Sequence, residues 1–244
     1  MPRSRPVTAR LRRIARASVL LIAAAVIPVH LDAQTTLREH LDPARLHVGR
    51  DSFVVMIQGQ PRGWQRLTVE RAGTGWTVGD AITIDSLVTQ GSRITLDAAL
   101  HEQSLRQEGR MRGRDMRIVL DFAGGRVRGS ALTPSAPAAL QVDTVVAAGT
   151  VDDNAVAPLL AAVRLRDSLD ISFPVLASGK GTVSLQRLRV TGRETVTVPA
   201  GTFDAWRVEL TAERSRVLFF VSQQAPHRVV KMSNGPAFEM LLLP

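Results

Sequence analysis

Apolar residues recurring at every second position constrain this chain more than any other feature. Met116, Ile118, Leu120 and Phe122 alternate with Arg117, Val119 and Asp121. Successive strand side chains point to opposite faces, so such a run builds a strand with one apolar and one wetter face. The rhythm returns at Leu67 and Val69, at Ile82 and Ile84, and at Ile94, Leu96, Ala98 and Leu100. Turn chemistry punctuates it at Gly59-Gln60-Pro61-Arg62-Gly63, Ala72-Gly73-Thr74-Gly75 and Gly124-Gly125. These runs imply an antiparallel sheet wet on one side. His101 to Arg110 admits a short helix instead.

Thr133 to Ala138 carries two prolines and reads as a loop between two β-rich halves, about 50–132 and 165–244. After it, Asp152-Asp153-Asn154 offers capping oxygens, and Val156, Leu159, Leu160 and Val163 recur at helical spacing. A short helix is expected near 155–164, with Pro158, which lacks an N–H, near its first turn. Strand runs resume at Leu169, Ile171 and Phe173. They continue through Val183 to Val190, Glu194 to Val198, Phe203 to Ala212, Arg216 to Ser222, Arg228 to Met232 and Phe238 to Leu243. The expected fold class is mostly β: a curved antiparallel sheet or incomplete barrel with one short helix packed on it.

Residues 1–33 are of a different kind. Arg3, Arg5, Arg10, Arg12, Arg13 and Arg16 precede an apolar run from Ala17 to Val29, and Leu31-Asp32-Ala33 ends in a small residue. Basic flank, short apolar middle and small exit are the parts of a secretory signal peptide. The run is shorter than the roughly 20 residues a spanning helix needs. The expectation is a signal peptide over 1–33 and a single β-rich domain over 34–244, exported to the periplasm or beyond, with no transmembrane anchor after cleavage. Losing the signal removes six of 31 basic and one of 22 acidic residues, leaving a surplus of four positive charges. So mild a surplus does not point to nucleic acid. The chain has no Cys, so disulfides and thiolate metal sites are excluded. It also has no Tyr and three Trp, which argues against the aromatic girdles of an outer-membrane barrel.

The stretch "VTGRETVTVPAGTFDAWRVEL" (Val190 to Leu210), followed by "FFVSQQAPHRVVKM" (Phe219 to Met232), resembles a family of exported bacterial domains of unknown function. That family carries a V-P-A-G-T-F-x-A-x-x-V-E motif and is related to the half-open β-barrel superfamily of the periplasmic lipoprotein carriers, the Lol-type fold. The match centres on Glu194, Pro199 to Phe203, Val208-Glu209 and Pro226 to Lys231. It implies a fold, a compartment and a cleft, and it brings no catalytic residue. Within the motif the backbone logic is local: Pro199 restricts φ, Gly201 permits positive φ, and Phe203 returns to the core. The missing lipidation cysteine departs from many envelope relatives.

Candidate chemistry is sparse. His40, His47, His101 and His227 include no pair at the i,i+4 spacing of a helical zinc site, so no metal is expected. His40 and His47 would share a face only if 37–47 were helical. Neither a Gly-x-Ser-x-Gly elbow nor Cys is present, and His101-Glu102 and His227 have no evident triad partners. A helix start accounts for Asp152-Asp153. Ser178-Gly179-Lys180-Gly181-Thr182 has Pro174 where a phosphate loop needs its first glycine and precedes a strand, so it reads as a hairpin turn. Arg106, Arg110, Arg112, Arg114, Arg117, Arg126 and Arg128 are read as the wet face of a hairpin rather than a dock for anionic polymers or headgroups, because Arg supplies 29 of the 31 basic residues everywhere.

Large apolar anchors are Trp64, Trp76, Trp206, Phe173, Phe203, Phe219 and Phe220. Trp206, Val208 and Leu210 share one strand face by period two and are the candidate ligand-binding residues. Phe219 and Phe220 point to opposite faces, so both faces of that strand are covered or one lines a cavity. No cofactor and no catalytic residue are expected. The functional expectation is a non-enzymatic envelope protein that binds a lipid, a lipopeptide or a lipidated envelope protein in a concave cleft. The alternatives are a structural or interaction protein whose barrel is filled by its own side chains, and, third, an exported hydrolase.

Overall fold

The computed structural model describes residues 36–212 and 215–244, so the expected signal peptide lies outside the described residues. Among them, the first half of the chain forms β1 (Gly49–Ile57), β2 (Gln60–Ala72), β3 (Gly75–Ile84), β4 (Val88–Leu96), β5 (Glu102–Met111), β6 (Arg114–Ala123), β7 (Arg126–Leu132) and β8 (Leu140–Val145). A two-residue strand β9 (Val151–Asp152) leads into the helix α1 (Asp153–Leu159). Then come β10 (Asp170–Ala177), β11 (Thr182–Val198), β12 (Gly201–Ala212), β13 (Ser215–Ser222), β14 (Val229–Ser233) and β15 (Phe238–Leu242). All the strands lie in one sheet of order β8-β7-β6-β5-β4-β3-β2-β1-β15-β14-β13-β12-β11-β10-β9. Neighbours are antiparallel except β9 and β10. The sheet is curved and does not close into a barrel.

Alternation becomes a core through register. Val69, Val78, Ile94, Leu105 and Leu120 are cross-strand partners in succession, so five strands contribute one continuous apolar row. Each is 5% exposed or less. Opposite Cβ atoms in such pairs lie about 5 Å apart, which makes the row a packed stripe. The stripe joins Val156, Leu159 and Leu160 of the helical segment, and Phe173, Leu188, Val208 and Phe219 from the other half, in a single cluster. The curved sheet thus wraps α1. A smaller cluster gathers Phe53, Val55, Met240 and Leu242 with Val196, Val198, Phe220 and Val230. Phe219 and Phe220 therefore bury opposite faces of β13.

The two halves meet where β1 pairs with β15, Phe53 opposite Leu242 and Val55 opposite Met240. Near the far ends of the sheet, Thr144 Oγ1 of β8 donates to the Gly181 carbonyl in the β10–β11 turn at 2.7 Å. The curvature thus brings the first free edge back to the last hairpin.

Three local expectations are corrected. His101 to Arg110 is not helical: from Glu102 it is β5, with Leu105 and Gln107 buried and Arg106 and Glu108 exposed. Pairing to β4 and β6 overrides the helix-forming composition of that stretch. Residues 37–47 form two 3-10 turns, Leu37–His40 and Pro43–Arg45, rather than a helix that would align His40 with His47. The helix itself begins at Asp153 and tightens to a 3-10 turn at Leu160–Ala162, which places Pro158 in its second turn. Pro158 lacks the N–H that would bond the Asn154 carbonyl, and the regular helix ends one residue later.

Candidate functional site

The helix start is tied down from several sides. Asp152 Oδ1 accepts from the Asn154 backbone N–H at 2.9 Å, an N-cap bond. Ser178, buried in the β10–β11 turn, donates its hydroxyl to Asp153 Oδ1 at 2.7 Å, and Asn154 Nδ2 donates to Ser178 Oγ at 2.9 Å. The Ser178–Thr182 segment is a hairpin turn, as its sequence suggests, and it also anchors α1.

Anchoring fixes which face of α1 looks where. Val156, Leu159 and Leu160 enter the core at 3% exposure or less. Asp153 and Ala157 lie beside two cavities that the helix does not fill, and both cavities also reach Phe219. One, about 210 Å³, has apolar walls from Phe53, Leu67, Met232 and Met240, with Gln65 and Asp80 at one end. The other, about 190 Å³, runs along Leu210, Val217 and Gln186. An apolar cavity of about 150 Å³ is enough to bind benzene, so either volume accommodates part of an apolar guest. Met232 and Met240 add flexible, polarisable walls that adapt to different shapes.

The polar end has its own chemistry. Gln65 Nε2 donates to Asp80 Oδ1 at 2.8 Å. Burial holds the Asp80 carboxyl above its ordinary range, and the Gln65 bond offsets part of that rise. A carboxyl so placed can hand a hydrogen bond to the polar end of an amphipathic molecule, or accept one. Asp80 falls on the inward row of β3, between Val78 and Ile82. An acid interrupting an apolar strand face is the signal in the sequence that marks this end of the cavity.

Of the candidate ligand-binding residues, only Leu210 lines a cavity. Val208 is completely buried in the main cluster. Trp206 packs against that cluster, with the Arg193 guanidinium 4.5 Å from its ring centroid. The three share a face, and its middle, at Val208, is buried in the cluster that also holds Val156 and Leu159 of α1. Pro199 lies in the β11–β12 turn, Gly201 opens β12 opposite Val198, and Phe203 follows in β12 opposite Val196. There Gly201 has φ +132° and the Ala200 N–H donates to the Leu242 carbonyl at 3.0 Å. Phe203 packs half-buried on the smaller cluster.

Among the described residues, no three His, Asp or Glu side chains come together as a metal site. His101 bonds Asp97 at 2.9 Å and His227 bonds the Ser222 carbonyl at 3.2 Å, and neither lines either cavity. No described helix is long and apolar enough to cross a membrane.

No curated protein matches the chain. Among solved structures, it is similar to a beta-barrel-like protein of the DUF1849 domain of unknown function from Brucella abortus. The identity is 12%, 80% of this chain and 94% of that one are covered, and the TM-score is 0.49. It is also similar to a protein from Bacteroides fragilis described as exported and of YmcC-like fold, at 8% identity over 80% of this chain and 94% of that one, with a TM-score of 0.27. The model of DUF3108, described as a protein of unknown function, matches residues 40–242, and the chain belongs to that family.

Proposed function

We propose that this protein is an exported, non-enzymatic binding protein related to the half-open barrels of the lipoprotein carriers, and that it takes the apolar end of an amphipathic molecule beside α1. The partner class is a lipid, a lipopeptide or a lipidated envelope protein. The observation that carries this reading is the pair of cavities meeting at Phe219 and Ala157, one of which ends in the Gln65–Asp80 pair. Export rests on the basic-then-apolar segment at residues 1–33. Together the two volumes fall in the lower range of ligand pockets, about 300–1,000 Å³. The guest is therefore one chain or ring rather than a large amphiphile.

A second reading has its own support. Leu159 and Leu160 are fully buried, so the helix fills most of the concave face with the protein's own side chains. A scaffold with a self-filled interior needs no guest.

Titration with fatty acids of increasing length, followed by calorimetry, separates the two. A site of this size gains about 0.8 kcal/mol per methylene buried and then stops gaining once the cavity is full. Ala157→Phe, which projects into both cavities, should abolish binding, and Leu67→Phe should weaken it without touching the helix. Absence of saturable binding, or binding indifferent to both variants, would favour the self-filled scaffold.

A further inference from the structure

The outer face of β2 to β6 carries a groove of about 500 Å³ that the apolar-cleft reading does not use. Its floor is made of small residues: Gly79 and Ala81 on β3 and Gly91 on β4. Gly91 has no left-handed backbone to require a glycine, and a Cβ there would meet only the Asp80 carbonyl, at 3.9 Å. Neither conformation nor internal packing explains the missing side chain. A glycine inside a strand often marks close approach by something else.

The walls are basic. Arg66, Arg93, Arg106 and Arg117 surround the floor, against two lining acids: Glu108, the cross-strand partner of Gly91 and Arg117, and Asp80, which alternation turns to the other face of β3. Arg106 is neutralised by Asp121 at 2.5 Å. Among the described residues, Arg66, Arg93 and Arg117 have no carboxylate within ion-pair distance. Arg93 stands directly opposite Arg106 across β4 and β5, but the Arg106 guanidinium is held by Asp121 and the Leu120 carbonyl. An anion in the groove would supply Arg93 with the counter-charge that Arg106 already has. Two of these arginines, Arg66 and Arg93, come from strands outside the Arg106–Arg128 stretch that is so dense in the sequence. The sheet gathers them.

Trp64 lies just outside the groove lining, two residues along β2 from Arg66. It is 42% exposed and shares the outer face of β2 with Arg66, whose guanidinium lies 5.4 Å from its ring centroid. An exposed indole beside a guanidinium group suits a ring with apolar C–H faces and acidic substituents.

We propose that this groove binds a linear acidic polysaccharide, with one sugar ring against Trp64, carboxylates on Arg66, Arg93 and Arg117, and the chain passing over Gly91. Five neighbouring strands span about 19 Å at their usual spacing, long enough for several sugar rings in a row. Arginine's planar fork matches a carboxylate in a bidentate way, which favours an acidic chain over a neutral one.

The test titrates the purified chain with an oligo-galacturonate, a neutral oligosaccharide of equal length, a single-stranded oligonucleotide, and vesicles containing anionic phospholipid. The expected result is saturable binding of the oligo-galacturonate, at least tenfold tighter than the neutral chain and weakened by salt through screening. Gly91→Leu should reduce affinity tenfold or more at an unchanged melting temperature, because its side chain projects into open space. Arg93→Ala combined with Arg117→Ala gives an independent check with the same expected loss. Preference for the oligonucleotide or the vesicles would overturn the proposal. So would no binding of the acidic chain, or binding that both the Gly91 variant and the double arginine variant leave intact.

Discussion

Arg38 and Glu102, 64 residues apart in sequence, form an ion pair in which the Glu102 side chain is only 2% exposed. The same guanidinium donates to the Leu100 and Thr150 carbonyls, each at 2.8 Å. The other carboxylate oxygen of Glu102 accepts from the Asp152 backbone N–H at 3.1 Å. One pair thus connects the N-terminal 3-10 turn, the start of β5 and the entry to α1.

Glu102→Gln should therefore destabilise strongly. It leaves the Arg38 charge mostly buried without its counter-charge, a change that costs about 3 kcal/mol or more. Asp115→Asn is the comparison. It breaks the Arg110–Asp115 pair, whose side chains are 63% and 72% exposed, and exposed pairs contribute about 1 kcal/mol at most. Urea denaturation of both variants checks the contrast, and equal losses would mean that Glu102 does not hold the helix entry.

Asp152 gives a pH dependence. Burial, reinforced by the neighbouring Asp153 charge, raises its carboxyl well above the ordinary value of 3.8. Its Oδ2 is buried without a hydrogen-bond partner. A carboxyl raised on folding binds its proton more tightly in the folded state. Its contribution is fully present below the ordinary value and is lost as pH rises through the raised one. Asp152→Asn keeps the capping oxygen and removes the charge. The variant should be more stable than the parent at neutral pH, on the order of 1 kcal/mol, and should lose this part of the pH slope. Melting temperatures between acidic and neutral pH measure it, and an unchanged slope would contradict the assignment.

Gly201 tests the turn motif. At φ +132° an L side chain is strained, while the only heavy atom near an added Cβ is Phe203 Cε2 at 3.9 Å. The cost of Gly201→Ala is thus conformational rather than a clash, about 1 kcal/mol. A denaturant melt of the variant with no loss would mean that the turn relaxes freely.

Much of this fold is written in local pattern. Met116 to Phe122 alternates because β6 has one buried face, and that requirement acts residue by residue. Asp152-Asp153-Asn154 followed by apolar residues at helical spacing marks α1, since capping and periodicity are local as well. The strand β5 was illegible for the opposite reason. Gln103 to Arg110 is rich in residues that a helix tolerates, and only pairing with β4 and β6 makes it extended.

The candidate sites depend on longer distances. Asp80 is visible in the sequence as an acid on an apolar strand face, but nothing local brings it to the same cavity as Ala157 and Phe219. Trp206, Val208 and Leu210 share a face by simple alternation, yet whether that face is open depends on where α1 sits. Arg66, Arg93 and Arg117 lie on three different strands, and only register sets them around Gly91. By itself the sequence determined a β-rich chain with one capped helix and a distinct basic-then-apolar N-terminus, because alternation, capping and turn chemistry act between near neighbours. Tertiary structure alone decided that β15 joins β1, that the sheet curls around α1, and which side chains meet in the cavities and the groove, because those contacts depend on strand order and curvature.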